Sequence, residues 1–332
     1  STLRSPSSRS HEWLILNSPD QQVLLKLIEW LSNRENCWLA TIVETIGSYP
    51  RPIGSLMAFN DAGSQAGSIS GGCVEEDLIS RVAAGEIQKN YLAVHEFGIT
   101  ADQNEKLGLP CGGTIKVLVQ SLDSARDETW IKETAQALSD RICITRELDL
   151  QSRLTRLTSS ANYQPFKMKH DKLIQTFGPR MRMFLVGAGQ LSQCLADIAL
   201  ALDYEVFVVD PRIEAIKDWS GPFVTLLQGM PDDILQEKVD SKSIVITLTH
   251  DPRIDDMALC EALEGPAWYV GALGSQRTTK ERLKRLKSLG ISKQLRDQLH
   301  APVGLDIGSK MPMEIAVAII GEITQLRRSS DF

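Results

Sequence analysis

Apolar residues recur at helical spacing over residues 20–33, where Val23, Leu24, Leu27, Ile28 and Leu31 share one face and Asp20 stands ready as a cap. Cys37 to Ile46 is rich in β-branched residues and reads as a strand. A run dense in glycine and proline follows, Gly47-Ser48-Tyr49-Pro50-Arg51-Pro52-Ile53-Gly54, and it reads as a loop. Ser55–Phe59 is a short strand and Asn60-Asp61-Ala62-Gly63 a turn, which together predict a hairpin. A second helical pattern begins at Cys73 with Val74, Leu78 and Val82, flanked by Ile79 and Ala83. Tyr91–Phe97 alternates like a strand, Gly98–Pro110 is polar and irregular, and Thr114–Val119 is a further strand. A helix over Glu128–Leu138 and a strand over Ile142–Leu148 close this half. From about Asp149 to Gly178 the periodicity fades, as expected of an interdomain connection with room for a strand pair.

The second half alternates strand and helix. Arg182–Val186 is an apolar strand, Gly187-Ala188-Gly189 a turn, and Leu195, Ile198, Ala199 and Leu202 mark a helix before the strand Glu205–Val209, which ends in Asp210. Strands are predicted at Phe223–Leu226, Ile244–Leu248 and Ala267–Val270, and helices at Asp232–Glu237, Ile254–Leu263 and Thr278–Leu289. Pro312 opens a last helix over Met313–Leu326, since proline is tolerated in a first helical turn. The expected fold class is α/β, with a first α/β domain at 20–148, a linker at 149–178 and a Rossmann-like parallel-sheet domain at 179–328, behind a disordered tail at 1–19.

At 332 residues the chain has room for two cores. Its 36 basic and 42 acidic residues give a net charge of −6, which argues against general nucleic-acid binding but leaves room for a local anion pocket. No apolar run approaches the roughly 20 residues of a membrane span, and the first residues lack the apolar core of a secretory signal. The six cysteines, Cys37, Cys73, Cys111, Cys143, Cys194 and Cys260, show no C-x-x-C spacing, so a reduced, cytoplasmic chain without a zinc ribbon is expected. Cys37, Cys143, Cys194 and Cys260 fall in apolar patterns and read as packing residues.

Two cysteines differ. Gly67-Ser68-Ile69-Ser70-Gly71-Gly72-Cys73-Val74-Glu75 places Cys73 at the start of a helix, where unpaired N–H groups and the helix dipole favour negative charge. A thiol in such a place is more often thiolate, and the amides of Ser70, Gly71 and Gly72 would suit a phosphate. Leu109-Pro110-Cys111-Gly112-Gly113-Thr114 repeats the arrangement in mirror order. Two readings stand: cysteines that merely fill tight turns, or a pair, Cys73 and Cys111, that approaches a metal or a metal–sulfur cofactor. A closed zinc site would need two more ligands, and His95 is the nearby candidate. Arg51, set between two prolines, would fork onto phosphate or stay a surface arginine.

In the second half the interval from Gly187 to Asp210, 23 residues, fits a dinucleotide-binding βαβ unit. Gly187 and Gly189 would approach a phosphate, Asp210 would accept from a ribose, and Arg212 would meet a phosphate. Ser192 stands where a third glycine is usual, which weakens the expected helix–strand contact. His250 ends a strand and points toward the crevice where such sheets bind ligands, as does the loop Gly271–Arg277. A fold that has kept its architecture and lost its ligand is the alternative.

The Gly47-Ser48-x-Pro50-Arg51 loop, the Cys73 stretch and Leu109-Pro110-Cys111-Gly112-Gly113 resemble the first domain of XdhC/CoxI-type proteins, the accessory factors of xanthine dehydrogenase and related molybdenum hydroxylases. Gly187-Ala188-Gly189, Val209-Asp210-Pro211-Arg212, Thr249-His250-Asp251, Gly271-Ala272-Leu273-Gly274-Ser275, Gly304-Leu305-Asp306-Ile307-Gly308 and Pro312-x-Glu314-Ile315-Ala316-Val317 resemble their Rossmann domain. The resemblance spans roughly residues 20–328, apart from 149–178. It implies a non-catalytic chaperone that binds molybdenum cofactor, as the pterin phosphate or its cytosine dinucleotide, assists its sulfuration by a cysteine desulfurase and delivers it to an apo molybdenum hydroxylase. The implied site is Arg51, Ser70, Gly71, Gly72, Cys73, Cys111, Gly112 and Gly113 for the cofactor, with Cys73 and Cys111 nearest the metal. Gly187, Gly189, Asp210, Arg212 and His250 would hold a nucleotide portion, and a homodimer is compatible with the reading. The rival expectation is an NAD(P)-dependent oxidoreductase with His250 as its acid–base group.

Overall fold

The β-branched run of the first half forms a long central strand, β1 (Cys37–Ile46), buried over its first seven residues. The computed structural model describes residues 18–47, 51–98, 114–159, 166–249 and 251–329. The chain divides into two units, Ser1–Pro179 and Arg180–Phe332.

In the first unit, α1 (Pro19–Ser32) starts two residues earlier than Asp20 would have it. Ser18 is the cap: its hydroxyl accepts the Gln21 amide, and the Gln21 side chain accepts the Ser18 amide, a reciprocal capping box. β2 (Leu56–Asn60) and β3 (Gln65–Gly67) form the expected hairpin. After α2 (Cys73–Ala83) come β4 (Leu92–Phe97), β5 (Thr114–Ser121) and α3 (Ser124–Ser139). The five strands lie antiparallel in the order β3-β2-β1-β5-β4. Alternation along β1 serves two layers. Trp38, Ala40 and Ile42 pack with Met57, Phe59, Val74 and Leu78 on the α2 side. Leu39 and Ala58 pack with Leu24, Leu27, Trp130 and Ile131 on the side of α1 and α3.

The segment at 149–178, expected as an interdomain connection with room for a strand pair, contributes three strands to a second sheet. β6 (Ile144–Asp149), β7 (Thr155–Ser159), β8 (Lys167–Met168) and β9 (Lys172–Phe177) run antiparallel in the order β7-β6-β9-β8. Leu148 and Leu173 meet Val43 and Leu118 of the larger sheet, and Ile144 and Phe177 join the α1–α3 cluster. Polar residues share this buried ground and mask the period: Thr145 bonds Thr176, and buried Arg146 bonds Gln120 with its guanidinium 4.1 Å from the Trp130 ring centre.

The second unit is a six-stranded parallel sheet: β10 (Arg182–Val186), β11 (Glu205–Asp210), β12 (Thr225–Gln228), β13 (Ser243–Thr247), β14 (Tyr269–Ala272) and β15 (Leu299–His300), in the order β12-β11-β10-β13-β14-β15. The order reverses between β10 and β13, which makes that gap the switch point where such sheets bind ligands. α4 (Gln190–Ala201) follows β10 on one face. After the short α5 (Ile213–Lys217), α6 (Pro231–Lys238), α7 (Pro252–Glu264) and α8 (Gln276–Ser288) cover the other face. A four-residue α9 (Lys293–Arg296) precedes β15, and α10 (Pro312–Ser329) packs beside α4. The protein is thus α/β with a Rossmann-like second half. Among the described residues no helix is long and apolar enough to cross a membrane.

Candidate functional site

Strand direction in the first unit gathers the glycine-rich loops at one edge of its sheet. Ile46 at the end of β1 pairs with Thr114 at the start of β5, and Phe97 at the end of β4 pairs with Ile115. β2 enters beside β1 at Leu56, and β3 leaves beside Met57 at Gly67. The loop carrying Arg51, the loop leading to Cys73 and both described flanks of the segment carrying Cys111 therefore depart from the same edge. Cys111, Gly112 and Gly113 themselves lie outside the described residues.

The loop ahead of Cys73 is closed by a residue the sequence reading passed over. Glu75, in the first turn of α2, is buried and turns its carboxylate back into the loop. Oε1 accepts the Ser68 hydroxyl at 2.9 Å and the amides of Ile69, Ser70 and Gly71 at 3.0, 2.7 and 2.9 Å. Oε2 accepts the Gly72 amide at 3.1 Å and the Ser70 hydroxyl. Burial alone would raise the Glu75 pKa, but the bonds from Ser70 and Gly71 outweigh it and bring it down to about 2. This corrects one expectation. The amides of Ser70, Gly71 and Gly72, expected to meet a phosphate, are engaged by the chain's own carboxylate. The signal was present in the sequence: a Glu three residues after a helix-start glycine is the acidic half of a capping box.

The turn leaves open space on its outer side. A Cβ built on Gly71 or Gly72 would meet nothing within 4 Å, whereas one on Gly67 would stand 2.4 Å from the Leu56 carbonyl oxygen. Cys73 is half-buried with a free thiol. Cys37 and Cys143 are buried as packing residues, and burial, aided by nearby Asp127, pushes the Cys37 thiol up to about 12. Cys194 and Cys260 are half-buried. Among the described residues no cluster of three metal-ligating side chains forms. His95 Nε2 lies 2.9 Å from the Tyr91 hydroxyl.

Arg51 is exposed. Its loop is braced from the second sheet: Gln175 on β9 donates to the Gly54 carbonyl at 2.8 Å, and a Cβ on Gly54 would lie 3.5 Å from Phe166. An open glycine turn, a half-buried free thiol and an exposed arginine on a braced loop are compatible with an anionic, sulfur-rich pterin cofactor.

In the second unit, Gly187 turns at φ +113° close under β13, where a Cβ would meet the Thr249 methyl at 3.0 Å. Gly189 caps α4 with open space beside it. Ser192 does not disturb the contact as expected: it is fully buried and its hydroxyl donates to the Gly187 carbonyl. Asp210 and Arg212 form a forked ion pair. Asp210 is fully buried and does not present itself to a ribose. His250 lies outside the described residues. Its neighbour Thr249 donates to Asp255 Oδ1 at 2.7 Å, and Arg282 spans Asp255 Oδ2 and the Leu273 carbonyl at 3.1 and 3.0 Å. That network ties the ends of β13 and β14 together, and it was not legible in the sequence because Asp255 and Arg282 look like ordinary residues of two separate helices.

Comparison with known proteins agrees with this architecture. The family model described as the XdhC Rossmann domain matches residues 183–323, and that of the XdhC and CoxI family matches residues 30–93. A Bacillus subtilis (strain 168) protein, named as a probable subunit of xanthine dehydrogenase, is 27% identical over 322 residues, covering 90% of this chain and 95% of that protein. The "Molybdenum cofactor insertion chaperone PaoD" of Escherichia coli (strain K12) is 26% identical over 330 residues, covering 95% and 91%. A crystal structure of a protein named a xanthine dehydrogenase from Bacillus halodurans superposes with a TM-score of 0.70 at 25% identity, covering 92% of this chain and 96% of the other. Matched in both its halves and along nearly its full length by such relatives, the chain belongs to the XdhC and CoxI family.

Proposed function

We propose that this chain is an accessory chaperone that binds molybdenum cofactor, assists its sulfuration and inserts it into a xanthine dehydrogenase-type molybdenum hydroxylase. The observation that carries the reading is the common sheet edge from which the Arg51 loop, the Cys73 loop and the flanks of the Cys111 segment all leave. A relative named for molybdenum cofactor insertion, similar over nearly the whole chain, supports it. Cys73 offers a soft sulfur ligand at the start of α2, and Cys111 would be the second. Because the loop amides belong to Glu75, the cofactor phosphate, plain or as a cytosine dinucleotide, would be met by Arg51, while the open sides of Gly71 and Gly72 leave room for the cofactor beside Cys73. A cysteine desulfurase would supply sulfur while the chaperone holds the cofactor, and the apo-hydroxylase would receive it.

Equilibrium binding of cofactor released from a molybdenum hydroxylase tests this, with wild type, Cys73→Ala and Cys111→Ala, alongside activation of an apo-hydroxylase. Both variants are expected to bind at least about tenfold more weakly and to activate poorly. Unchanged affinity and unchanged activation would remove the cysteines from the site.

A further inference from the structure

The carboxyl end of β11 inverts the chemistry its sequence advertises. In a dinucleotide fold the acid at this position accepts hydrogen bonds from a ribose diol. Here both oxygens of Asp210 are already used. Oδ2 accepts the Ala188 amide at 2.9 Å and Arg212 Nη2 at 2.7 Å. Oδ1 accepts the Arg212 amide and Arg212 Nε, each at 2.9 Å. Four donors match the roughly four lone-pair sites of a carboxylate, so none is left for a hydroxyl. Access is closed as well: the Asp210 side chain is 0% exposed, whereas that of Arg212 is 61% exposed. Burial would raise the Asp210 pKa, but the Arg212 guanidinium and the two amides hold it below the usual carboxylate range, so the pair stays charged.

What this corner presents to solvent is therefore the outer edge of a guanidinium held in place from behind. Such an edge has donors and a positive charge and no acceptor. A ribose diol gains little from it. A phosphate monoester is matched in charge and in the planar fork geometry.

We infer that the Asp210–Arg212 corner selects a phosphate monoester over a ribose diol, with Arg212 as the residue that sets the choice. The ligand class is a phosphorylated one: a dinucleotide bearing a ribose phosphate, or a pterin phosphate. The inference rests on the second unit taking part of a phosphorylated cofactor, and it leaves the cysteine site untouched. It also weighs against the plain NAD form of the oxidoreductase alternative, because the acid that would recognise the diol is sealed.

The probes are NADP+ and NAD+, which differ only in the ribose phosphate, and molybdopterin in its phosphate form, which separates the two sources. Titration calorimetry is run at one fixed salt concentration on the full chain. NADP+ is expected to bind at least about tenfold more tightly than NAD+, and binding of the pterin phosphate counts for this corner only as far as Arg212→Gln weakens it. Arg212→Gln is expected to abolish that preference, and Arg212→Lys, which keeps the charge and loses the fork, to leave a smaller one. Circular dichroism confirms that each variant is folded. NAD+ binding as tightly as the phosphorylated probes, a preference that survives Arg212→Gln, or no binding of any probe would overturn the inference. Failure here with normal hydroxylase activation leaves the chaperone reading standing, and loss of activation in Cys73→Ala with the phosphate preference intact separates the two in the other direction.

Discussion

Ser70 grips Glu75 twice, donating its amide to Oε1 at 2.7 Å and its hydroxyl to Oε2. The residue before the glycine pair and a residue of the first turn of α2 thus close a ring around Gly71, Gly72 and Cys73. Glu75 needs its charge to hold this ring, and its pKa falls to about 2 against an ordinary 4.5. A carboxylate depressed on folding contributes stability that is fully present above its unfolded pKa and is lost as pH falls through the folded value. The window is therefore about pH 4.5 down to 2, and the contribution is on the order of 3 kcal/mol. Glu75→Gln is expected to cost about 2–3 kcal/mol at neutral pH and to flatten the decline in that window. Hydrogen exchange at Ile69, Ser70, Gly71 and Gly72 reads it directly: those amides should lose protection in the variant. Unchanged protection would mean that the ring holds without the charge.

The glycines of the same loop separate structural from functional need. At Gly67, φ is +79° and a Cβ would sit 2.4 Å from the Leu56 carbonyl oxygen and 2.5 Å from Val23. A backbone oxygen cannot step aside, so Gly67→Ala is expected to destabilise by about 3 kcal/mol in urea melts. Gly72 has empty space around the missing Cβ. Gly72→Ala should cost less than about 1 kcal/mol and yet weaken cofactor binding, because the new methyl occupies the face offered to the ligand. Equal effects on stability and binding at both positions would refute this division.

In the second unit the ends of β13 and β14 depend on a buried charge pair. Arg282 and Asp255 are each almost fully buried and meet at 3.1 Å, with Thr249 on the other carboxylate oxygen. Arg282→Met leaves the Asp255 carboxyl buried without its partner, which typically costs about 3–5 kcal/mol. Replacing both, as Asp255→Leu with Arg282→Met, should recover part of the loss. Thermal melts of the two single variants and the double variant measure the coupling. Additive losses would show that the residues act separately.

The parts of this fold that one periodicity controls were legible from the chain. The strands β10, β11 and β13 are apolar runs, and the helices beside them carry one clean face. The glycine turn ahead of Cys73 announced itself by residue type. Where burial is shared between polar partners, the pattern dissolves: Thr145 with Thr176, and Arg146 with Gln120, turn buried positions of β5, β6 and β9 into polar letters. The site was misread for a related reason. Residue types locate an anion-friendly loop, but only coordinates show that Glu75 fills one and that Arg212 covers the acid of the other.

The second sheet gives the last prediction, because it braces the Arg51 loop through one side chain. Gln175 is buried and donates to the Gly54 carbonyl at 2.8 Å, while its own Oε1 has no partner among the described residues. Gln175→Leu removes a useful bond and an unsatisfied oxygen together, so the net change in stability should be small, within about 1 kcal/mol. The Gly54 carbonyl, however, loses its anchor, and the loop that carries Arg51 gains freedom that a ligand must then remove. Cofactor affinity is expected to fall about three- to tenfold with little change in melting temperature, and exchange at the Gly54 amide, which donates to the Ile42 carbonyl at 2.8 Å, should quicken. Arg51→Ala should weaken binding further, and adding Gln175→Leu to it should then matter little, since the brace acts through the arginine. If the double variant instead binds more weakly by the full product of the two single effects, Gln175 works through some other part of the site.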